Sequence, residues 1–581
     1  EMTNTVRLKL TQDFDQWVKG LKMEALMSIN TYSLLNQTQL KTPALYYATG
    51  RKKDGTLDLI EKVSRKDDVY SSANLTTRKI YFEGRVNYER VFDEKHRVGG
   101  LLLYYMDDFV TGEAQTLIAS IPKRYTGLAA RATYSFKDTY FLEGNLGYTG
   151  SEAFAKGQKF GVFPAISGGW VPTQYEWVQD NLSFIDFWKF RVSYGVVGND
   201  RINSSVRFPF LSTMTQGSGA GIWGSGGNIV ESQEASQNLR WEKAKKFDIG
   251  IDAQFFKQKI DVTVDFFHEN RTGIFQQRAS IPDEMGLITL PWANVGAMES
   301  WGADGNISYM HQFNKDWSLT ARANFTYTNN KLTEYEQSGV KYPYQSWVGT
   351  PYGNQRGLIA LGLFKDQADI DNSPKQTFMA DVMPGDIKYK DINGDGVIDE
   401  YDEVLIGNSN VPRLQYGFAL ELRYKRLSVS ALFEGVGIVD FMYGGNGFYP
   451  FTGKQTGNVL SIVADPSNRW IPASYSGDPS TENPNARFPR LTYGPNANNE
   501  RNSTFWMADG RYLRLKNVQI TYDVTCPQMK KIGLQGLQLS LIGDNLACWD
   551  KVKLWDPAQA SGNGAVYPLQ RVFTLQANLQ F

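Results

Sequence analysis

The chain has 581 residues, and its basic and acidic side chains are balanced at 61 each, so no bulk charge points to nucleic acid or an acidic partner. Cys526 and Cys548 are too few for a disulfide framework, although a single bridge between them stays possible. Three histidines leave little for a Cys/His metal site. We therefore expect no nucleic-acid binding and no disulfide-rich or zinc-finger fold.

Apolar and polar side chains alternate with period two along the chain, which is the pattern of β-strands with two different faces. Clear examples in chain order are 128–136, 188–196, 247–255 and 317–327. In the last segment, 571–581, every second residue from Phe573 to Phe581 is apolar, and the residues between them are Thr, Gln and Asn. The pattern predicts seventeen strands, near 3–13, 21–35, 78–91, 96–106, 124–136, 140–149, 158–170, 187–198, 241–256, 258–271, 299–313, 317–330, 413–424, 428–440, 511–523, 536–546 and 571–581.

Alternation alone also fits a soluble β-sandwich or propeller, but two features favour a membrane barrel. The apolar faces tend to end in Trp, Tyr or Phe, as in aromatic girdles, and the polar faces carry charge, as at Lys189, Arg191, Asp248 and Asp252. The longest apolar run, 101–106, is far shorter than the ~20 residues that a membrane-spanning helix needs. We predict an all-β fold, a transmembrane antiparallel β-barrel surrounded by outer-membrane lipid in a Gram-negative cell.

The connections between the predicted strands alternate between short and long, as in outer-membrane barrels with tight periplasmic turns and long outer loops. The short turns lie near 137–138, 257–258, 314–315 and 425–426, and the long loops span about 36–77, 199–240, 272–298, 331–412, 441–510 and 547–570. If the last strand descends to the periplasm, the first also descends. Because single-chain barrels have an even strand number, we expect 1–581 to be the C-terminal part of one barrel that lacks its first strands.

One motif in the loop 331–412 has the spacing of a calcium-binding loop. Counted from Asp391, side-chain oxygens fall at positions 1, 3, 5, 9 and 12, a glycine stands at position 6, and a backbone carbonyl is available at position 7. The predicted Ca²⁺ ligands are Asp391, Asn393, Asp395, Val397, Asp399 and Asp402. Asp402 replaces the usual bidentate Glu, and the alternative is an Asn/Gly-rich turn without metal. We expect a structural ion.

The long loops are rich in aromatic residues beside amides, which could stack on sugar rings or hold peptides. The candidates are Trp223, Tyr344, Trp347, Phe448, Tyr449, Trp549 and Trp555, and packing of loop against loop is the alternative for each. No Ser/His/Asp constellation is recognisable, and none of the three histidines has a partner at metal-ligand spacing. The chain is therefore not expected to be an enzyme.

Several stretches resemble the SusC family of TonB-dependent transporters of Bacteroidetes. The most specific is GDIKYKDINGDGVIDEYDEVLIGNSNVPRLQYGF at 385–418. Four others support it, in the order that the family shows: RVSYGVVGN at 191–199, LRWEKAKKFDIGID at 239–252, NVGAMESWGADGNISY at 294–309 and YLRLKNVQITYDV at 512–524, followed by the terminal Phe581. The resemblance covers about two-thirds of the chain.

The resemblance implies a 22-strand barrel, an N-terminal plug, energy from the TonB-ExbB-ExbD complex of the inner membrane and a SusD-like surface lipoprotein that closes the outer mouth. By that standard the plug, the TonB box and about five strands are not in this chain. We expect an active importer of an oligomeric nutrient, in the first place an oligosaccharide. The alternatives are an importer of peptides or metal chelates on the same wall, and a passive porin or adhesin.

Overall fold

The computed structural model describes residues 1–114, 116–202, 206–221, 224–449, 451, 459–524 and 533–581. Seventeen strands form one antiparallel sheet, which we call the wall. Each strand of the wall is hydrogen-bonded to the next strand in chain order. They are β1 (Met2–Asp13), β2 (Leu21–Thr42), β3 (Lys66–Phe92), β4 (His96–Thr111), β5 (Lys123–Phe136), β6 (Tyr140–Ser151), β7 (Phe160–Trp170), β8 (Ile185–Asn199), β9 (Glu242–Phe255), β10 (Ile260–Gln277), β11 (Trp292–Gln312), β12 (Trp317–Glu334), β13 (Leu414–Tyr424), β14 (Leu427–Gly437), β15 (Tyr512–Val524), β16 (Gly536–Asp550) and β17 (Val572–Gln580). The predicted strand count is confirmed. Among the described residues, β1 and β17 pair on one side only.

Several strands are longer than the sequence predicted. The β2–β3 pairing continues from Leu21↔Tyr88 to Thr42↔Lys66, through residues that were expected to be loop. The rest of that predicted loop contains the hairpin Leu45–Arg51 and Leu57–Val63. Period two marks only the part of a strand that has one apolar face. These extensions are rich in polar residues with only scattered apolar ones, such as Leu40 and Leu75, so the pattern stops before the hydrogen bonding does.

The two faces of the sheet differ as the alternation predicted. Large apolar side chains are more than half exposed on one face, including Leu102, Leu142, Ile166, Phe266 and Leu541. The opposite face carries ion pairs between neighbouring strands. A sheet whose exposed face is apolar and whose other face is charged matches a wall between hydrocarbon and a wet lumen. We name these the apolar face and the polar face.

Tight turns join strands at one end of the sheet. Lys137 and Asp138 both have a positive φ, near 50° and 48°, which is the two-residue hairpin geometry that matches the twist of the strands. At 313–317 the Asn314 carboxamide oxygen accepts hydrogen bonds from the backbone of Asp316 and Trp317, at 2.8 and 3.0 Å. These positions are the predicted short turns, and the longest connections lie at the opposite end.

Short elements fill the connections. The α-helices are Leu117–Ser120, Glu176–Asn181, Gln367–Asp371, Ser461–Ala464 and Ala473–Ser476, and the 3₁₀ turns are Pro172–Gln174, Asp283–Met285, Pro343–Gln345, Glu400–Asp402, Pro479–Thr481, Thr504–Trp506 and Pro557–Gln559. Further strand pairs are Thr213–Gly221 with Gly224–Gln233, Arg356–Gly357 with Val404–Leu405, Ala360–Leu363 with Ile387–Tyr389, Lys375–Gln376 with Val397–Ile398, and Asp440–Met442 with Met507–Asp509. Across the described part of the chain, every helix is too short or too polar to cross a membrane.

The main hydrophobic core lies outside the wall. Three connections, β12–β13, β14–β15 and β16–β17, pack together, and we call their described residues the loop domain. The backbone of Leu358 bonds to Asn502, that of Tyr443 to Trp506 and that of Gly444 to Gly562. The buried core side chains are Leu358, Leu363, Ile387, Tyr389, Ile398, Phe448, Val463, Trp470, Ala486, Phe488 and Trp506.

Candidate functional site

The loop domain is the candidate site, because it stands over the long-loop end of the wall and carries most of the residues singled out from the sequence. Its centre is the Trp506 side chain, which is 1% exposed and packs in a cluster with Phe448 and Phe488. The Trp506 indole N–H donates to the backbone oxygen of Asn499 at 2.7 Å, so its polar atom is satisfied. A dry core of this kind holds the loops in one arrangement.

A fully buried carboxylate fixes the same core. Arg490 donates two hydrogen bonds to Asp386, from Nε to Oδ1 at 2.8 Å and from a terminal nitrogen to Oδ2 at 3.0 Å. The carboxamides of Asn496 and Asn499 also donate to Oδ1, at 3.1 and 2.8 Å. A buried charge is tolerated only when it is paired and hydrogen-bonded, and here it joins the β12–β13 connection to the β14–β15 connection.

Sequence reasoning missed this network, although its residues stand in recognisable places. Asp386 follows Gly385 at the start of the most specific stretch, and Asn496, Asn498 and Asn499 form a dense run of amides. Such a run reads as an ordinary loop because Asn favours turns. Gly385 has φ near 86°, and a Cβ built there would lie 2.3 Å from the Trp470 ring. Glycine is therefore required both by the left-handed backbone and by the close contact with the ring.

The predicted calcium loop is ordered by hydrogen bonds between its own side chains and backbone. Asp391 accepts from the backbone of Gly394 and Gly396, at 2.6 and 2.9 Å. Asn393 accepts from Asp395, and Asp395 accepts from Val397, both at 2.9 Å. These side-chain-to-backbone turns at positions 1, 3 and 5 are compatible with a loop that wraps a cation.

Position 12 of the loop, Asp402, is directed toward the inside of the loop. The Asp402 side chain is fully buried and accepts from the backbone of Ile392 at 2.7 Å and of Asp399 at 3.0 Å, so it braces the loop from inside. Within the described ranges, no group of three or more His, Cys, Asp or Glu side chains is arranged to hold a metal ion. The first half of the loop is compatible with Ca²⁺, and both Asp402 carboxylate oxygens accept backbone N–H groups, so the ligand role of all six residues stays a prediction.

Most of the predicted ligand-binding aromatics pack within the loops. Phe448 is 3% exposed, the Tyr344 hydroxyl donates to the backbone oxygen of Tyr401 at 2.7 Å, and the Arg356 guanidinium lies 4.3 Å from the centre of the Trp347 ring. Tyr449 contacts Trp506 edge to face, and the Trp555 indole donates to Ser561 at 2.8 Å. Trp549 is 53% exposed at the outer end of β16, whereas Trp223 lies outside the described residues. Their contact with a ligand stays a prediction.

Other aromatic rings in the loop domain are free for contact. The exposed fractions of Tyr475, Tyr567 and Tyr493 are 87%, 78% and 74%. Sequence reasoning did not single them out, because a lone Tyr among Pro, Ser, Gly and Asn carries no periodic signal. A large, half-apolar ring exposed to water is the kind of side chain that stacks on sugars or packs on peptides.

Local electrostatics also stabilise the loops. Burial would raise the pKa of Glu336, but hydrogen bonds from the Ser280 hydroxyl, from the backbone of Ser280 and Ala279 and from Arg278 outweigh burial and lower that pKa to about 2. Glu336 therefore ties the β10–β11 connection to the β12–β13 connection. Burial raises the pKa of the Tyr389 and Tyr449 hydroxyls, which stay neutral at physiological pH.

The polar face of the wall is lined by paired charges. Arg191 on β8 donates to Asp252 on β9 at 2.8 Å and to Asp265 on β10 at 3.1 Å. Arg131 similarly donates to Glu143, at 2.6 Å. Such pairs remain about one-third exposed or more on the arginine side, which suits a wet interior rather than a packed second sheet.

Comparison with known proteins agrees with this architecture. The family model "TonB dependent receptor-like, beta-barrel" matches residues 2–546. TonB-dependent receptor P26 of Formosa agariphila is 27% identical over 484 residues, covering 78% of this chain and 45% of the relative. TonB-dependent receptor SusC of Bacteroides thetaiotaomicron is 22% identical over 465 residues, covering 78% of this chain and 43% of the relative.

The solved structure of the RagAB peptide transporter has the same fold, with a TM-score of 0.71 at 18% identity over 100% of this chain and 62% of that chain. The chain thus spans about half the length of the curated relatives it matches. Because the family model extends over almost the whole strand-built wall, the chain belongs to the TonB-dependent receptor-like β-barrel family of outer-membrane receptors and transporters.

Proposed function

We propose that the full-length protein imports an oligomeric nutrient across the outer membrane with energy from the TonB-ExbB-ExbD complex. The observation that carries the proposal is the family match over residues 2–546, which coincides with a seventeen-stranded sheet that is apolar on one face and charged on the other. A wall with a wet, charge-lined interior can conduct a polar cargo.

Capture of the cargo is assigned to the loop domain together with a SusD-like surface lipoprotein, the partner implied by the resemblance to the SusC family. The support from the structure is that the loop domain is rigid inside and presents exposed tyrosines outside. A preorganised surface loses little conformational entropy on binding, which favours the capture of a dilute oligomer.

The cargo that we propose first is an oligosaccharide, because exposed tyrosine rings beside amide-rich loops suit sugar stacking. A peptide cargo is the second candidate, since the solved structure with the same fold is described as a peptide transporter. Both cargoes need the same wall and the same energy source. They differ in what the exposed rings of the loop domain must recognise.

Uptake by intact cells tests the proposal. Cells that carry the gene as the sole uptake route would be given fluorescent oligosaccharides and fluorescent peptides of similar size, with and without an intact TonB system. We expect uptake of one class, lost when TonB is removed. Replacement of Tyr475 and Tyr493 by Ala should reduce uptake at low cargo concentration, whereas Tyr522→Ala on the apolar face should not. TonB-independent uptake of both classes would indicate a passive pore and contradict the proposal.

We also propose that the 391–399 loop binds a structural Ca²⁺. Its first half supports this, with Asp391, Asn393, Asp395, Val397 and Asp399 as the residues that would hold the ion while Asp402 braces the loop. Hydrogen exchange of 385–412 measured with Ca²⁺ and with chelator is the test. Slower exchange with Ca²⁺, abolished by Asp391→Asn with Asp395→Asn, is expected, and equal exchange in both conditions would refute the site.

A further inference from the structure

A cationic patch stands on the apolar face of the wall, at the long-loop end of β9. The strand register places Lys245 opposite Val196 on β8 and Asn270 on β10, and places Lys243 opposite Thr272. One row nearer the hydrocarbon, Phe247 is opposite Tyr194 and His268. We call Lys243, Lys245, Asn270 and Thr272 the rim patch.

The orientation of the rim patch follows from its neighbours. Phe247 and Ile249 continue the same side of β9 and are 42% and 45% exposed, and Phe266 on β10 is 54% exposed. Successive residues of a strand alternate in direction, so Lys243 and Lys245 share the side of Phe247. The intervening Lys246 faces the other way, where it pairs with Glu269 at 3.2 Å. The rim patch therefore faces lipid and not the lumen.

The charges of the rim patch are not neutralised. Within the part of the chain that the structure describes, neither lysine forms an ion pair, and the side chains of Asn270 and Thr272 form no hydrogen bond to a neighbour. The adjacent carboxylate on this face, Glu299, is already held by His268 and Lys331, each at 2.8 Å. Glu334 lies three strands away from Lys243. Four free donors are thus grouped together.

The level of the rim patch in the membrane indicates which class of molecule it can contact. Long loops face outward in outer-membrane barrels, so the patch lies where the hydrocarbon of the outer leaflet ends and its headgroups begin. The aromatic rings of Tyr194, Phe247 and Trp301 lie in one row just inside it, as expected of an interfacial girdle. The side chains that follow toward the membrane centre, Ile249 and Phe266, are apolar.

We propose that the rim patch binds the phosphorylated headgroup of an outer-leaflet glycolipid, whose acyl chains lie along Phe247, Ile249 and Phe266. Two lysine ammonium groups about 7 Å apart along the strand, with an amide and a hydroxyl on the next strand, suit the several acceptor oxygens of one phosphate. Lipid binding at this position would anchor the outer end of β8–β12, from which the β8–β9, β10–β11 and β12–β13 connections begin. The inference is independent of the imported cargo.

The probe is lipid A that carries one phosphate, offered to the full-length protein in detergent, and retention is read by native mass spectrometry. The test variant is Lys243→Gln with Lys245→Gln. The matched control removes two lysine charges from the polar face, Lys189→Gln with Lys246→Gln. From about 1 kcal/mol for each lysine near an anionic surface, we expect retention to fall about 30-fold in the test variant and to stay unchanged in the control.

Four further measurements complete the test. The unchanged protein and the test variant should retain dephosphorylated lipid A equally. Lys243→Arg with Lys245→Arg should retain phosphorylated lipid A as the unchanged protein does. Inorganic phosphate alone should compete only weakly with the lipid. Added salt should release lipid from the unchanged protein, which tests the charge without a mutation. Equal retention of phosphorylated and dephosphorylated lipid, or an equal loss in the control variant, would overturn the proposal.

Discussion

The wall and the loop domain of this protein are stabilised in opposite ways. In the wall, seventeen neighbouring strands share backbone hydrogen bonds, and their large apolar side chains stay exposed to the surrounding lipid. In the loop domain, strands of two to four residues and short helical turns surround a core in which Leu358, Ile387 and Ile398 are fully buried. The wall depends on its backbone hydrogen bonds and on the surrounding lipid, whereas the loop domain depends on side-chain packing and on the buried Arg490–Asp386 ion pair.

The two regions should therefore respond to different kinds of substitution. In the wall, the effect of a substitution on stability depends on which face the side chain lies on, because a charge is unfavourable in hydrocarbon and tolerated in the lumen. In the loop domain, the effect of a substitution on stability depends on the burial of the side chain and on its hydrogen-bond partners, as in a small water-soluble protein. The two regions can therefore be separated by pairs of variants that are alike in chemistry and differ in place.

The largest effect is expected at the buried ion pair. Arg490→Ala leaves the Asp386 carboxylate buried without its main partner and should destabilise the loop domain by about 3–5 kcal/mol. Arg423→Ala is the matched control, because the Arg423–Asp523 pair has the same 2.8 Å separation as the Arg490–Asp386 pair but is exposed, and it should cost about 0.2–1 kcal/mol. Hydrogen exchange of 385–412 for Arg490→Ala, and of 414–424 for Arg423→Ala, measures the two effects. Equal effects would show that the pair does not hold the loops.

The next effect tests the facing of the wall. Leu146 on β6 is 49% exposed on the apolar face, and Leu146→Lys should cost about 2–4 kcal/mol because it places an ammonium in hydrocarbon. The adjacent Asn145 points to the polar face and donates to Glu143 at 2.8 Å, so Asn145→Lys should cost far less. Urea unfolding in lipid vesicles gives the two free energies. A larger loss at position 145 would reverse the assigned faces.

A smaller effect separates packing from backbone strain in the loop domain. Gly385 and Gly396 have similar left-handed backbones, with φ of 86° and 81°, but only Gly385 lies against the Trp470 ring. Gly396→Ala should cost about 1–2 kcal/mol for the backbone alone. Gly385→Ala should cost about 1–3 kcal/mol more through overpacking, seen as faster proteolysis of the loop domain. Similar rates for the two variants would argue against a tight Gly385–Trp470 contact.

The smallest effect concerns pH. Because hydrogen bonds lower the pKa of Glu336 in the folded loops to about 2, its contribution is complete above the ordinary value of 4.5 and is lost as the pH falls toward 2. Glu336→Gln should loosen the β10–β11 connection by about 1.5 kcal/mol at neutral pH and remove that pH dependence. Hydrogen exchange of 278–291 as a function of pH is the measurement. A steep change near pH 6 would point to another group.

The sequence predicted the wall well and the loop domain poorly, for physical reasons. Alternation is local, so β9 could be located from Phe247, Ile249 and their polar neighbours without knowledge of any partner strand. The core around Trp506 joins residues more than a hundred positions apart, such as Leu358 and Trp506, and no local pattern marks such contacts. The aromatic candidates were chosen by composition, and composition does not show which of them are buried in the loop core, as Phe448 is.

The most direct test of the central claim is the facing of successive residues in one strand of the wall. Single cysteines at positions 246 to 249 on β9 would carry spin labels in the membrane-embedded protein, and collisions with oxygen and with a water-soluble nickel complex would be compared. The labels at Phe247 and Ile249 should meet oxygen in the lipid, and those at Lys246 and Asp248 should meet the nickel complex in the lumen. Uniform exposure to water, or a repeat of three to four residues, would contradict a wall that separates lipid from a wet interior.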